Sequence, residues 1–112
     1  MDITSIALSG LNAAEKRLAN SANNIANAST PNFKATDAVQ ESVDGGGVRV
    51  DIVERDPATV TVPTEDGTQE LPNVSLEQEV VTGLTATYDY QANAKLLKTQ
   101  KELDKSLLDI QA

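Results

Sequence analysis

From Ser75 to Ile110 the chain carries no proline and one glycine, Gly83, and its apolar side chains recur with a helical rhythm. They fall at Val81, Leu84, Tyr88, Ala92, Leu96, Leu103, Leu107 and Ile110, with Gln100 in the same line. The mean spacing is close to ~3.6 residues, so the seam runs straight along one helix instead of supercoiling strictly. Ser75 is a good N-cap, Glu77 and Glu79 suit the positive end of the helix, and Gln78 sits where a capping box needs it. At ~1.5 Å per residue such a helix spans about 52 Å. A compact chain of this length has a radius of gyration of only ~13 Å, roughly 34 Å across. The helix therefore projects beyond any globule that the chain can make, and it needs a partner.

The N-terminal third predicts a second helix over residues 3–28, capped by Asp2 or Thr4. Leu11, Leu18 and Ile25 are seven apart, with Ala14, Ser21 and Ala28 beside them, a narrow seam of the kind one helix offers another. The small residues let a partner backbone approach closely. Gly10 costs about 1 kcal/mol against alanine, so the first turns are expected to bend or fray. Pro31 disfavours the helical region for Thr30 and ends the helix near Ala28 or Ser29. Asn20, Asn24 and Asn27 share a face, with Asn23 next to them. Between Ile3 and Phe33 the only charges are Glu15, Lys16 and Arg17. A stripe of amides, each able to donate and accept, suits a surface that meets other helices; the other reading is a solvated, frayed face. Phe33 reads as an apolar anchor in the exit segment.

Composition limits what these seams can pack against. Only 39% of the 112 residues are hydrophobic, many of them alanine, and the aromatic residues are Phe33, Tyr88 and Tyr90. A chain so poor in large side chains does not bury all its seams alone. The net charge of −8 argues against nucleic acid or an anionic membrane as partner. Residues 34–75 hold nine acids and three bases, which marks the middle as the solvent-facing part. No apolar run approaches membrane-spanning length. The start, MDITSIALSG, lacks the basic and long apolar regions of a secretory signal peptide, and composition alone reads as cytoplasmic.

The middle predicts little regular structure. Ala35 to Val43 reads as a loop with some extended structure, and Gly45-Gly46-Gly47 as a turn. Val48, Val50 and Ile52 alternate with Arg49 and Asp51, a half-buried strand. Asp56-Pro57 ends it, and Thr59 to Val62 is a second short strand, so that 48–62 can form a hairpin. Pro63 to Gly67 reads as another turn, and Leu71 to Val74 as an extended lead-in to Ser75. Chemistry is scarce. Without histidine or cysteine there is no catalytic triad, thiol mechanism, disulfide or thiolate zinc site. The triple glycine is followed by Val48 and Arg49, not by the Lys-Ser/Thr of a phosphate loop. Asp51, Glu54 and Asp56 are close in sequence, but 51 and 54 face opposite sides of a strand, so no metal site is expected. Tyr88 and Tyr90 beside Asp89 read as helix packing rather than acid–base chemistry.

The stretch ANNIANASTPNFKA, residues 22–35, closely resembles the N-terminal signature of bacterial flagellar basal-body rod and hook proteins. YDYQANAKLLKTQKEL, Tyr88 to Leu103, resembles their C-terminal signature, in which an aromatic-Gln-Ala-Asn core opens the last helix. Gly46-Gly47-Val48 with Val50, then Asp66-Gly67, then Leu71 to Ser75, resemble the middle of the short, C-type proximal-rod members. The stretch between Asp56 and Asp66 is shorter than in that subtype.

The resemblance implies a mainly α fold: long N- and C-terminal helices in a coiled-coil-like pair, with a small β-hairpin or extended middle segment. It divides the chain into a rod helix with its exit (1–34), a short middle region (35–75) and a C-terminal rod helix (76–112). It implies a structural subunit of the rod, polymerising through its terminal helices, with no enzymatic activity and no cofactor. The expected assembly residues are Leu11, Leu18, Asn20, Asn24, Ile25, Asn27 and Phe33 from the first third, and Leu84, Tyr88, Leu96, Leu103, Leu107 and Ile110 from the last helix. The implied partners are further copies of the chain, other rod proteins and the flagellar type III export apparatus, with no nucleic acid and no membrane insertion. The implied location is the periplasm-spanning rod, reached without a cleaved signal. The alternative is a soluble helical adaptor or export-associated binding module.

Overall fold

The computed structural model describes residues 2–55 and 60–111. Its elements are α1 (Ile3–Ala26), β1 (Thr36–Ser42), β2 (Val48–Glu54), β3 (Thr61–Thr64), β4 (Gly67–Glu70) and α2 (Leu76–Gln111). Two long helices thus flank a small antiparallel β region, the mainly helical architecture that the periodicity predicts. The molecule measures 78 × 25 × 17 Å, with a radius of gyration of 19.7 Å. That is well above the ~13 Å of a compact chain.

Helix α1 starts where a carboxylate can cap it. The Ser5 backbone N–H donates to Asp2 Oδ1 at 2.8 Å, and that bond holds the Asp2 carboxyl below its ordinary pKa. The cap is therefore in place above the usual carboxylate range and is lost as pH falls through the lowered value. The helix runs unbroken through Gly10, which does not end it. Glycine leaves room there: a Cβ on Gly10 would stand 2.5 Å from the Asn93 Oδ1 of α2, so a larger residue requires the Asn93 side chain to shift. The last regular residue is Ala26, two short of the expected end, and the chain then leaves in tight turns through Asn27.

Asn32 follows Pro31 with φ of 64°, the left-handed region that asparagine tolerates better than most residues. Its N–H donates to the Glu70 carbonyl at 2.8 Å, and its Oδ1 accepts the Glu70 N–H at 2.9 Å. The exit from α1 is thereby tied to the end of β4. Asn32→Ala is expected to cost about 2–3 kcal/mol, one hydrogen bond plus the left-handed penalty, and Asn32→Gly about 1 kcal/mol or less. Thermal melts of the two variants check this; equal losses would mean that the backbone conformation is not what the position demands.

The helices pair antiparallel. Gly10 meets Asn93, Arg17 Nη1 meets Asp89 Oδ2 at 2.6 Å, Leu18 approaches Gly83, and Asn24 meets Glu79, in opposite chain order. The inner face of α1 is Gly10, Ala14, Arg17, Ser21 and Asn24, at the three–four spacing of a helix seam. The facing line on α2 is Glu79, Gly83, Ala86, Asn93 and Leu97. The line of small residues makes the contact, and the leucine lines do not meet. Leu18 and Ile25 stay largely exposed on the flank, as do Leu96 and Leu103 on α2, about a quarter turn from its inner face. Alanine and glycine let the backbones close up, which leaves the larger apolar groups outside.

Counting on from Gly10 and Asn93, Ile3 falls opposite Gln100, so residues 101–111 of α2 extend past the start of α1 with every residue exposed. On the seam, the Ser21 hydroxyl is 1% exposed and has no hydrogen-bond partner. Ser21→Ala removes that orphan and improves helix propensity, so it is expected to stabilise the chain by about 0.5–1.5 kcal/mol in urea titrations.

The middle departs from its expected pairing. The strand at Val48–Glu54 pairs with Thr36–Ser42, from Ser42↔Val48 to Thr36↔Glu54, and not with the segment after it. The expected loop at 35–43 therefore contains a full strand, and the turn at Gly45 to Gly47 closes it, all three glycines having positive φ. β3 pairs instead with β4, closing at Thr64↔Gly67. Pro63, expected to open a turn, lies inside β3, which a two-stranded ribbon tolerates because each strand has an unpaired edge. Asp56-Pro57, the expected end of β2, lies outside the described residues, as does Thr59. The first hairpin packs against α1: Val50 is buried, and the Val48 N–H donates to Ser9 Oγ at 3.1 Å.

Candidate assembly interface

A rigid rod such as α2 presents a different chemistry on each side. Along one flank and the outer side of α2, Val81, Leu84, Tyr88, Leu96, Leu103, Leu107 and Ile110 are all exposed, reaching 67% at Tyr88 and 80% at Ile110. On α1, Leu11 is half-buried, and Leu18 and Ile25 are more open. These residues form apolar stripes over most of the molecule's length, far more than the scattered apolar groups of an ordinary monomer surface. Phe33 is half-buried beside the turn at Asn32.

The asparagines divide. Asn27 sits at the end of α1, its amide donating to the Asn23 carbonyl at 2.9 Å. Asn20 and Asn24 turn inward and take hold of one residue of the same chain, Thr36, where β1 begins. The Thr36 carbonyl accepts from Asn20 Nδ2 and from Asn24 Nδ2, each at 2.8 Å, and the Thr36 N–H donates to Asn24 Oδ1 at 3.2 Å. Thr36 Oγ1 donates to Asn20 Oδ1 at 2.5 Å. A backbone segment that leaves a helix and turns back along it must satisfy its own polar groups, and these two amides do so.

Beneath them lies a cluster that the sequence pattern did not reveal. Glu79, in the first turn of α2, is 2% exposed, and Asn24 is fully buried. Glu79 Oε1 accepts from Asn24 Nδ2 at 3.1 Å and from Arg55 Nη2 at 2.5 Å. Arg55 also donates from Nε and Nη2 to Asp37 Oδ1, at 3.0 and 2.7 Å. The bonds to Asp37, followed by those to Glu79, raise the guanidinium pKa further against the opposing effect of burial, so Arg55 is firmly charged. Its backbone N–H donates to the Ala35 carbonyl at 2.9 Å, and the Ala35 N–H donates to Asn73 Oδ1 at 2.6 Å. Five segments of chain thus converge on one charged centre. The one available signal was spacing: Glu79, Ala86, Asn93 and Gln100 are seven apart, a line of small and polar residues on α2. A search for large apolar residues passes over it.

The arrangement offers long apolar faces and a polar fastening, and no group of three or more acidic side chains that could hold a metal ion occurs among the described residues. The family model for the flagella basal body rod protein matches residues 5–34, which are α1 and its exit. The model for the flagellar basal body rod FlgEFG protein C-terminal region matches residues 65–110, which are β4 and α2 with the turn before them. Flagellar basal-body rod protein FlgC of Yersinia enterocolitica is 33% identical over 122 aligned positions, covering 92% of this chain and 91% of that protein. This chain belongs to the flagellar basal-body rod protein family. FlgC of Borreliella burgdorferi is 32% identical over 78 positions, 59% of this chain and 51% of its own length. In this family member the polar cluster draws on both matched segments, through Asn24 and Glu79, and on the stretch between them, through Asp37 and Arg55.

Proposed function

We propose that the chain is a structural subunit of the flagellar rod, polymerising with copies of itself and with other rod proteins through the outward faces of α1 and α2. The observation that carries this reading is the exposed apolar stripe on α2, continued by Leu103, Leu107 and Ile110 over the stretch that extends past α1. A lone monomer gains nothing from that surface, whereas a neighbour seated on it removes it from water at about 25 cal/mol per Å². Leu11, Leu18, Ile25 and Phe33 contribute from the other helix and its exit, beside Leu84, Tyr88 and Leu96. Asn27 can serve the same contacts, whereas Asn20 and Asn24 act from within by fixing the middle segment.

The subunit acts by assembly and carries no catalytic activity, in keeping with a sequence that has neither histidine nor cysteine. It reaches the rod through the flagellar type III export apparatus without cleavage of a signal peptide. The test is purification of intact basal bodies. The chain is expected in fixed proportion to the other axial proteins and resistant to high-salt washing. Its absence from basal bodies that still carry a complete rod would overturn the proposal.

A further inference from the structure

Glu79 lies on the side of α2 that faces α1, yet the group that neutralises it comes from neither helix. Arg55 directly follows β2 and is held in place by Asp37 of β1 and by the Ala35 carbonyl. From the helices themselves Glu79 receives one neutral donor, the Asn24 amide, and the Ser21 hydroxyl on the same seam makes no bond to it. A buried carboxylate with its cation removed is strongly destabilising, so this end of the helix pair cannot close tightly unless the hairpin is docked. The Arg17–Asp89 pair, by contrast, joins the helices directly and needs no third element.

We infer that the β1–β2 hairpin gates the pairing of α1 with the first turns of α2, with Arg55 as the positioning residue and the buried Glu79 carboxylate as the group it controls. Hairpin docking and helix closure at this end are then one cooperative event. Whatever holds the hairpin favours the closed pair, and by the same coupling whatever closes the pair favours the docked hairpin. A neighbour that lifts the hairpin opens the pair and uncovers the alanine seam. The inference concerns the isolated chain and does not depend on how it assembles.

Hydrogen exchange on the full chain tests it with three variants, Arg55→Ala, Glu79→Gln and the double variant. Arg55→Ala is expected to lower protection of amides in residues 79–90 of α2 and 20–26 of α1 by about a hundredfold, although Arg55 belongs to neither helix. Adding Glu79→Gln to Arg55→Ala removes the orphaned charge and is expected to restore most of that protection while the hairpin stays loose. Loosening of the hairpin alone in Arg55→Ala would overturn the inference. A double variant as open as the single one would overturn it too, since loss of packing and not an unpaired charge would then be the cause. If Arg55→Ala unfolds throughout, the double variant still decides: recovered helix amides support the coupling, and continued unfolding refutes it.

Discussion

Leu103→Asp is expected to leave the monomer intact, to be exported, and to fail to enter the rod, so that cells depending on it grow no filaments. Lys101→Glu, two residues away, is expected to remain motile. Leu103 is more than half exposed on the part of α2 that extends past α1, so its replacement disturbs no contact within the chain and changes monomer stability by less than about 0.5 kcal/mol. If the stripe through Leu96, Leu103, Leu107 and Ile110 is covered by a neighbour, the new carboxylate is buried among apolar groups at a cost of several kcal/mol, or it forces the contact apart. Lys101 lies on the opposite flank of the helix and stays in solvent, where a charge reversal costs well under ~1 kcal/mol. Swimming assays, with electron microscopy and assay of the exported fraction, read both variants. Equal motility would remove the case for this face as the assembly element. A motile Leu103→Asp beside an immotile Lys101→Glu would place the contact on the other flank.

The second large effect is expected at Asn24, where a change of one atom group should matter more than removal of the side chain. Asn24→Ala strips two bonds from the Thr36 backbone and one from Glu79, a loss of about 2–3 kcal/mol. Asn24→Asp keeps the shape but places a second carboxylate against buried Glu79, and is expected to cost about 4 kcal/mol or more at pH 7. Asn20→Ala, beside it and half-buried, should lose about 1 kcal/mol. Urea unfolding of the three variants gives the order. Wild-type stability in Asn24→Asp would mean that the amide does not face Glu79.

The helices were legible because their signals are local. Asp2 and Ser75 cap them, Pro31 follows the first, and the periodicity of α2 runs its full length. Strand β1 was not legible, since TDAVQES has no apolar alternation; it is a strand because β2 pairs with it and because Asn20 and Asn24 grip its first residue. The exchange of β3 from one partner to the other has the same origin, in pairing that no short window of sequence specifies.

The seams were legible in part. Leu11, Leu18 and Ile25 form a helical line, and so do Leu96, Leu103 and Ile110. Size alone suggests that they face each other, whereas Ala14, Ser21 and Ala86 take the contact because small groups permit the closest approach. The asparagines could be read as an unusual face, but which chain they serve could not, because Thr36 lies across a turn whose geometry the pattern does not encode. Arg55 and Glu79 looked like members of a solvated acidic middle and an ordinary first helical turn. Only their meeting at 2.5 Å in the folded chain gives them a role.

Among the described residues the fully enclosed hydrophobic groups are five alanines and a valine: Ala7, Ala13, Ala14, Ala35, Ala86 and Val50. So small a core makes concentration itself a structural variable. In dilute solution the ordering entropy of the long helices is opposed by few apolar contacts, so a single chain is folded by a margin of only about 5 kcal/mol. Under the proposed assembly, each neighbour seated on the leucine faces draws the equilibrium further toward the ordered form by mass action. A chain built this way is least rigid as a single copy and hardens where copies collect, so under the proposed assembly the growing end supplies the conditions for its own rigidity.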